Sequence, residues 1–199
     1  MRILLVYRDA DLGNAWKQEF ADISGVEIVA GDITDIDCDA IVSPANSFGF
    51  MDGGLDLALS DRFGWDLQDR LQGLIRDLPE RELLIGKALA LATNDNRVPW
   101  LIAAPTMRVP MSFQIATSIN VYLAMKAILL VATSHPDISS VAIPGLCTGV
   151  GRMSYSIAAA QMRTAFVELA SGGRKRIPDF GEAQRHQLEL NSNGMIWDY

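Results

Sequence analysis

Short apolar runs of strand character alternate along this chain with longer segments of helical period. Six runs read as strands: Arg2–Tyr7, Val26–Ala30, Ala40–Ser43, Lys87–Ala92, Trp100–Ala104 and Ser140–Pro144. The spacing of apolar positions predicts helices over Asp11–Ile23, Leu55–Leu78 with a break near Gly64, Ser112–Ser134 and Ser154–Ala170. Gly25, Pro79, Pro99, Pro110, Pro136 and Gly172-Gly173 punctuate the ends of these segments. Runs such as Ala40-Ile41-Val42 and Val141-Ala142-Ile143 are apolar without alternation, which calls for burial on both faces. The expected fold is therefore α/β, a three-layer α/β/α sandwich around a mixed, mostly parallel sheet of about six strands.

With 199 residues, 49% of them hydrophobic, the chain has material for one full core. Residues 1–171 are expected to form that domain. Residues 172–199 read as a polar tail with a possible helix over Asp179–Asn191, and Met195-Ile196-Trp197 are candidates to pack back on the body. The first apolar run, Ile3–Tyr7, is too short for a secretory core, and the longest, Ile119–Thr133, is interrupted by Lys126 and too short to span a bilayer. No membrane association is expected. Cys38 and Cys147 stand alone, without the spacing of a disulfide framework or a metal site, so no metal or cofactor is expected and a reducing, cytoplasmic setting fits.

A formal charge of −7 argues against a protein that grips extended nucleic acid through its phosphates. One small anion in a local pocket is compatible with it. Arg174-Lys175-Arg176 is the only basic cluster and reads as a solvated face of the tail. His135 before Pro136 and His186 in the tail read as structural or solvated rather than catalytic.

Ligand sites of open α/β sheets form beyond the carboxyl ends of the strands, so the loops that follow strands carry the candidate chemistry. The first is Gly31-Asp32-Ile33-Thr34, where a carboxylate beside a cleft can accept hydrogen bonds from an exocyclic amine, although Asp-x-Thr after a strand is more often a turn or a helix cap. The second runs from Ser43-Pro44-Ala45-Asn46 to Gly53-Gly54-Leu55-Asp56. It delivers an amide side chain and then the free N–H groups of a helix N-terminus, suited to a phosphate or a ribose diol, although Asp56 as a dipole-complementing residue would look the same. The third is Pro144-Gly145-Leu146-Cys147-Thr148-Gly149-Val150-Gly151-Arg152. Its glycines can form a nest of N–H groups about a diphosphate, with Arg152 adding charge at the rim.

In this order and spacing, Gly31-Asp32-Ile33-Thr34, Asp39–Asn46, Gly53-Gly54-Leu55-Asp56 and Cys147-Thr148-Gly149-Val150 resemble the macrodomain family over about Val26–Ala170. The resemblance implies binding of ADP-ribose or an ADP-ribosylated molecule. Asp32 would meet the adenine amine, Ile33 would offer its backbone, and Asn46 would face the distal ribose. Gly53, Gly54 and Leu55 would close around the diphosphate from one side, and Cys147, Thr148, Gly149, Val150, Gly151 and Arg152 from the other. It further implies that Asp56 activates a water in hydrolysis of mono-ADP-ribosyl or O-acetyl-ADP-ribose linkages; a non-catalytic reader and a scaffold with a vestigial cleft are the alternatives.

The chain departs from the family at three places: Ser43 stands for a usual Asn, Asp52 for the first of three glycines, and Gly151 for an aromatic. It also begins with a strand and helix where relatives end with one. The expectation is that Arg2–Tyr7 takes that place in the sheet and that Tyr7 or Arg8 lines the adenine pocket, with Tyr7 as a core residue the alternative.

Overall fold

The computed structural model describes residues 1–110, 115–170 and 177–191. Strict side-chain alternation along the strands splits the core in two. In β1 (Arg2–Tyr7), Ile3 and Leu5 join one apolar cluster and Leu4 and Val6 the other. The same division separates Ala40 and Val42 from Ile41 in β3 (Ala40–Ser43), and Val141 and Ile143 from Ala142 in β6 (Ser140–Ile143). Both faces of these central strands are therefore apolar because each meets a helix layer.

The remaining strands are β2 (Val26–Ala30), β4 (Leu89–Ala92) and β5 (Trp100–Ala103). The sheet order is β2-β1-β6-β3-β5-β4, parallel throughout except for β4, which runs antiparallel to β5 at the edge. This is the mixed, mostly parallel sheet expected from the sequence. The first strand lies inside it, between β2 and β6.

One face carries α1 (Ala10–Glu19), α4 (Asn120–Ser134) and α5 (Tyr155–Ala170), anchored by Leu12 and Trp16 of α1 and by Met125, Ile128 and Met162. The other face carries α2 (Gly54–Phe63) and α3 (Asp66–Asp77), packed through Leu59, Leu67, Leu71 and Ile75. The break expected near Gly64 within Leu55–Leu78 is present: Gly64 at φ 95° ends the first of two helices. Other boundaries shift: the strand expected from Lys87 begins at Leu89, and the helix expected from Ser112 begins at Asn120, after a 3-10 turn over Ile115–Thr117. Ser112, Arg174-Lys175-Arg176 and Met195-Ile196-Trp197 lie outside the described residues.

A last helix, α6 (Phe180–Leu190), is capped by Asp179 and docks on α4 and α5. Glu168 of α5 accepts from Tyr122 Oη at 2.8 Å and Lys126 Nζ at 3.1 Å, and meets His186 Nε2 at 2.9 Å. Lys126 interrupts an otherwise apolar helix because its ammonium reaches this carboxylate. Among the described residues no helix is long and apolar enough to cross a membrane.

Candidate functional site

Five parallel strands end at one edge of the sheet, so the loops that leave β1, β2, β3, β5 and β6 gather there. Backbone hydrogen bonds stitch these loops together. Thr106 N–H, beyond β5, donates to the Ala45 carbonyl at 3.1 Å, and Ser47 N–H donates to that of Arg108 at 3.1 Å. The Cys147 thiol, beyond β6, donates to the Thr106 carbonyl at 3.6 Å.

Between the loops lies an open cavity of about 500 Å3. Of the residues singled out in the sequence, Asn46, the run Gly53 to Asp56 and the run Cys147 to Gly151 all line it. The two glycine turns thus converge on one space. Among the described residues no side chain caps the N-terminus of α2, whereas α1 is capped by Asp9, so the first-turn N–H groups of α2 are a suitable seat for an anion. Among the described lining residues there is no Lys, Arg or His; the charged ones are Asp52 and Asp56. Backbone dipoles rather than side-chain cations are what this cavity offers a phosphate.

Asp56 stands in the first turn of α2 and receives a 2.6 Å hydrogen bond from Ser43 Oγ at the end of β3. Burial pushes its carboxyl up to about 6, against the opposing pull of the Ser43 hydrogen bond. Such a group is mostly ionised at neutral pH yet close enough to it to exchange a proton. Cys147 has the opposite character: burial pushes its thiol up to about 12, so it stays protonated and is no nucleophile.

Asn46 borders the cavity, but its amide braces its own loop. Oδ1 accepts from Phe48 N–H at 3.1 Å and Phe50 N–H at 3.3 Å, while Nδ2 donates to the Phe50 carbonyl at 2.8 Å. The third turn is tightly wound, with Cys147 at φ 59° and Arg152 at φ 52°, a conformation rare for residues with side chains and frequent at functional sites. A Cβ on Gly151 would lie 2.6 Å from the Cys147 carbonyl oxygen and 2.9 Å from Ile115 Cγ2. The turn leaves no room for a side chain at Gly151, which is why glycine stands here where the family resemblance led to an aromatic.

Asp32, Ile33, Tyr7 and Arg152 are not among the lining residues. Asp32 caps the 3-10 turn Ile33–Asp35, accepting from Thr34 N–H at 2.9 Å and Thr34 Oγ1 at 2.8 Å, and it pairs with Arg8. Ile33 is buried in the core. Tyr7 lays its ring over Gly13, with Lys17 Nζ 5.6 Å from the ring centroid. Sequence reasoning passed over Phe48, Phe50, Thr106, Met107, Val109 and Pro110, all of which line the cavity. The last four follow β5, so the same strand-end rule would have found them. Among the described residues no group of three or more His, Cys, Asp or Glu side chains is arranged to hold a metal ion.

A mostly parallel three-layer sandwich with glycine turns gathered at one strand edge defines an α/β module with a strand-end cleft. The family model described as "Macro domain" matches residues 42–162, and the chain belongs to that family. An uncharacterised protein of Aquifex aeolicus is 32% identical over 69% of this chain and 78% of its own length. An Oceanobacillus iheyensis macrodomain mutant with ADPR is similar at a TM-score of 0.60, with 20% identity over 80% of this chain and 88% of that one. The Trypanosoma brucei macrodomain in complex with ADP-ribose gives a TM-score of 0.54, with 19% identity over 70% of this chain and 56% of that one.

Proposed function

We propose that the cleft binds ADP-ribose or a close derivative and that Asp56 serves hydrolysis of mono-ADP-ribosyl or O-acetyl-ADP-ribose linkages. Convergence of the two glycine turns on one cavity carries this reading, together with the family membership and the ligands of the two solved relatives. The uncapped start of α2 and the turn Thr148-Gly149-Val150 would hold the diphosphate through N–H groups. Asp32 and the Ile33 backbone, with Tyr7 or Arg8 beside them, would form the adenine end. In a mono-ADP-ribosyl linkage Asp56 would take a proton from a water as that water's oxygen bonds to the anomeric carbon of the distal ribose, the bond to the attached group breaks, and the proton is passed to that leaving group. In O-acetyl-ADP-ribose the water would add to the acetyl carbonyl carbon instead, and acetate would leave. Two buried thiols, Cys38 and Cys147, support a reducing, cytoplasmic setting.

The second reading is a non-catalytic reader of ADP-ribose. It is favoured by Asn46, whose amide is spent on its own loop and leaves Asp56 as the main polar side chain facing a reacting centre. Calorimetry with ADP-ribose tests binding, and a panel of acidic-residue, arginine, serine and nucleobase conjugates plus O-acetyl-ADP-ribose tests turnover. Binding with turnover lost in Asp56→Ala is the expected result. Binding with no turnover on any substrate leaves the reader, and no heat at high ligand concentration removes both readings.

A further inference from the structure

We propose that Ser43 is the positioning residue of this cleft: its hydroxyl fixes one oxygen of Asp56 so that the other is presented to the cavity. The inference rests on the reading of Asp56 as the water-activating group. Ser43 is the last residue of β3, is fully buried, and belongs to the most constrained part of the sheet. It pairs with Ala103 of β5, and its carbonyl accepts from Ala104 N–H at 3.0 Å, so its Cα cannot wander.

Asp56, by contrast, rides on a short helix entered through two glycines. Ser43 Oγ, at 2.6 Å from Oδ1, is its one hydrogen-bond donor among the described residues, and Oδ2 has none. A hydroxyl bonded to an ionised carboxylate makes a short, charge-assisted contact, so the geometry holds best in the state that accepts a proton from water. No Lys, Arg or His faces Asp56 across the described cavity lining, and the other carboxylate there, Asp52, is exposed. Ser43 therefore supplies both orientation and the main stabilisation of charge at this position, opposing a burial that drives the carboxyl towards its neutral form.

The test uses the full chain as wild type, Ser43→Ala and Ser43→Thr, with thermal unfolding to show that each folds. The Asp56 carboxyl is followed by carbon NMR against pH without ligand, its resonance assigned by loss in Asp56→Asn, and ADP-ribose affinity is measured alongside. In Ser43→Ala the titration midpoint is expected to rise by roughly one pH unit, with ADP-ribose affinity changed less than about threefold. Ser43→Thr keeps the hydroxyl and restores the wild-type midpoint; should threonine not fold in the buried site, the alanine variant decides alone. In turnover, Ser43→Ala is expected to lower kcat about tenfold with KM nearly unchanged.

An unmoved midpoint in Ser43→Ala overturns the proposal, as does a loss of affinity without a change in titration, which would make Ser43 a packing or ligand contact. Failure of the wild-type chain to bind ADP-ribose defeats the functional reading instead, and the ligand-free titration still decides on Ser43.

Discussion

Arg8 and Asp32 form an ion pair at the carboxyl edge of the sheet, tying the end of β1 to the turn that follows β2. The first strand therefore reaches the same carboxylate that the family resemblance assigns to the adenine amine. Hydrogen bonding from the Thr34 N–H, with help from the Thr34 hydroxyl and the charge of Arg8, holds that carboxyl below its ordinary value despite some desolvation. Asp32 thus stays an acceptor across the physiological range.

The pair's own energy is small, because the Arg8 side chain is 77% exposed and solvent screens it. Arg8→Ala is expected to change stability by less than about 1 kcal/mol in a denaturant titration. Asp32→Ala is the informative variant. If Asp32 accepts from the adenine amine, wild type prefers ADP-ribose to its inosine analogue, which lacks that amine, by about tenfold, and the variant loses the preference. Equal affinity of wild type for both ligands would remove Asp32 from the adenine site.

Asp56 should destabilise the folded chain above neutral pH. Its folded-state carboxyl is raised from 3.8 to about 6, so the neutral form is favoured by folding. That contribution is complete below about pH 4 and is lost as pH rises through about 6, leaving an ionised group that costs about 3 kcal/mol. Asp56→Asn is expected to raise stability at pH 8 by up to that amount, to do little at pH 4, and to abolish turnover. Equal effects at both pH values would mean that burial does not perturb this carboxyl.

Gly151→Ala places a methyl group against a carbonyl oxygen of the same turn and against Ile115. The turn must open, and its N–H groups lose their convergence on the cavity. A loss of roughly 1–3 kcal/mol in stability and at least tenfold in ADP-ribose affinity is expected from thermal unfolding and calorimetry. Unchanged affinity would show that the third turn does not contact the ligand.

Glu168 joins three helices. Desolvation works against its charge, yet the hydrogen bonds from Tyr122 and Lys126 and nearby positive charge hold its carboxyl below the ordinary value. Its contribution is therefore present above about pH 4.5 and fades as pH falls through the lowered folded-state value. Glu168→Ala leaves Lys126 and Tyr122 without this partner and is expected to cost roughly 2–3 kcal/mol. Hydrogen exchange should show α6 opening more readily; unaltered exchange in α6 would mean that His186 and Leu190 hold it without Glu168.

The strands were legible because each central one is apolar on both faces, and the period-two division of Ile3 and Leu5 from Leu4 and Val6 follows from that alone. The second and third loops were legible as sites because glycine, amide and carboxylate chemistry sits directly after buried strands. Contacts that join distant segments were not. Nothing local marks Lys126 as the partner of Glu168, or Ser43 as the donor to Asp56, since each pairing is made by the packing of separate elements. Gly151 reads in the sequence as a missing aromatic, whereas the close approach of the Cys147 carbonyl makes glycine a requirement of the turn. The loop after β5 carries no glycine run, and its place in the cavity depends on the pairing of Asn46 with Met107.

The central claim is that two glycine turns grip one diphosphate, and a crystal of the full chain soaked with ADP-ribose tests it most directly. The expected density places the diphosphate between Gly53-Gly54 and Thr148-Gly149-Val150, with the distal ribose towards Asp56. Ligand bound elsewhere on the surface, or within the cavity but with its phosphates beyond reach of both sets of N–H groups, would contradict it.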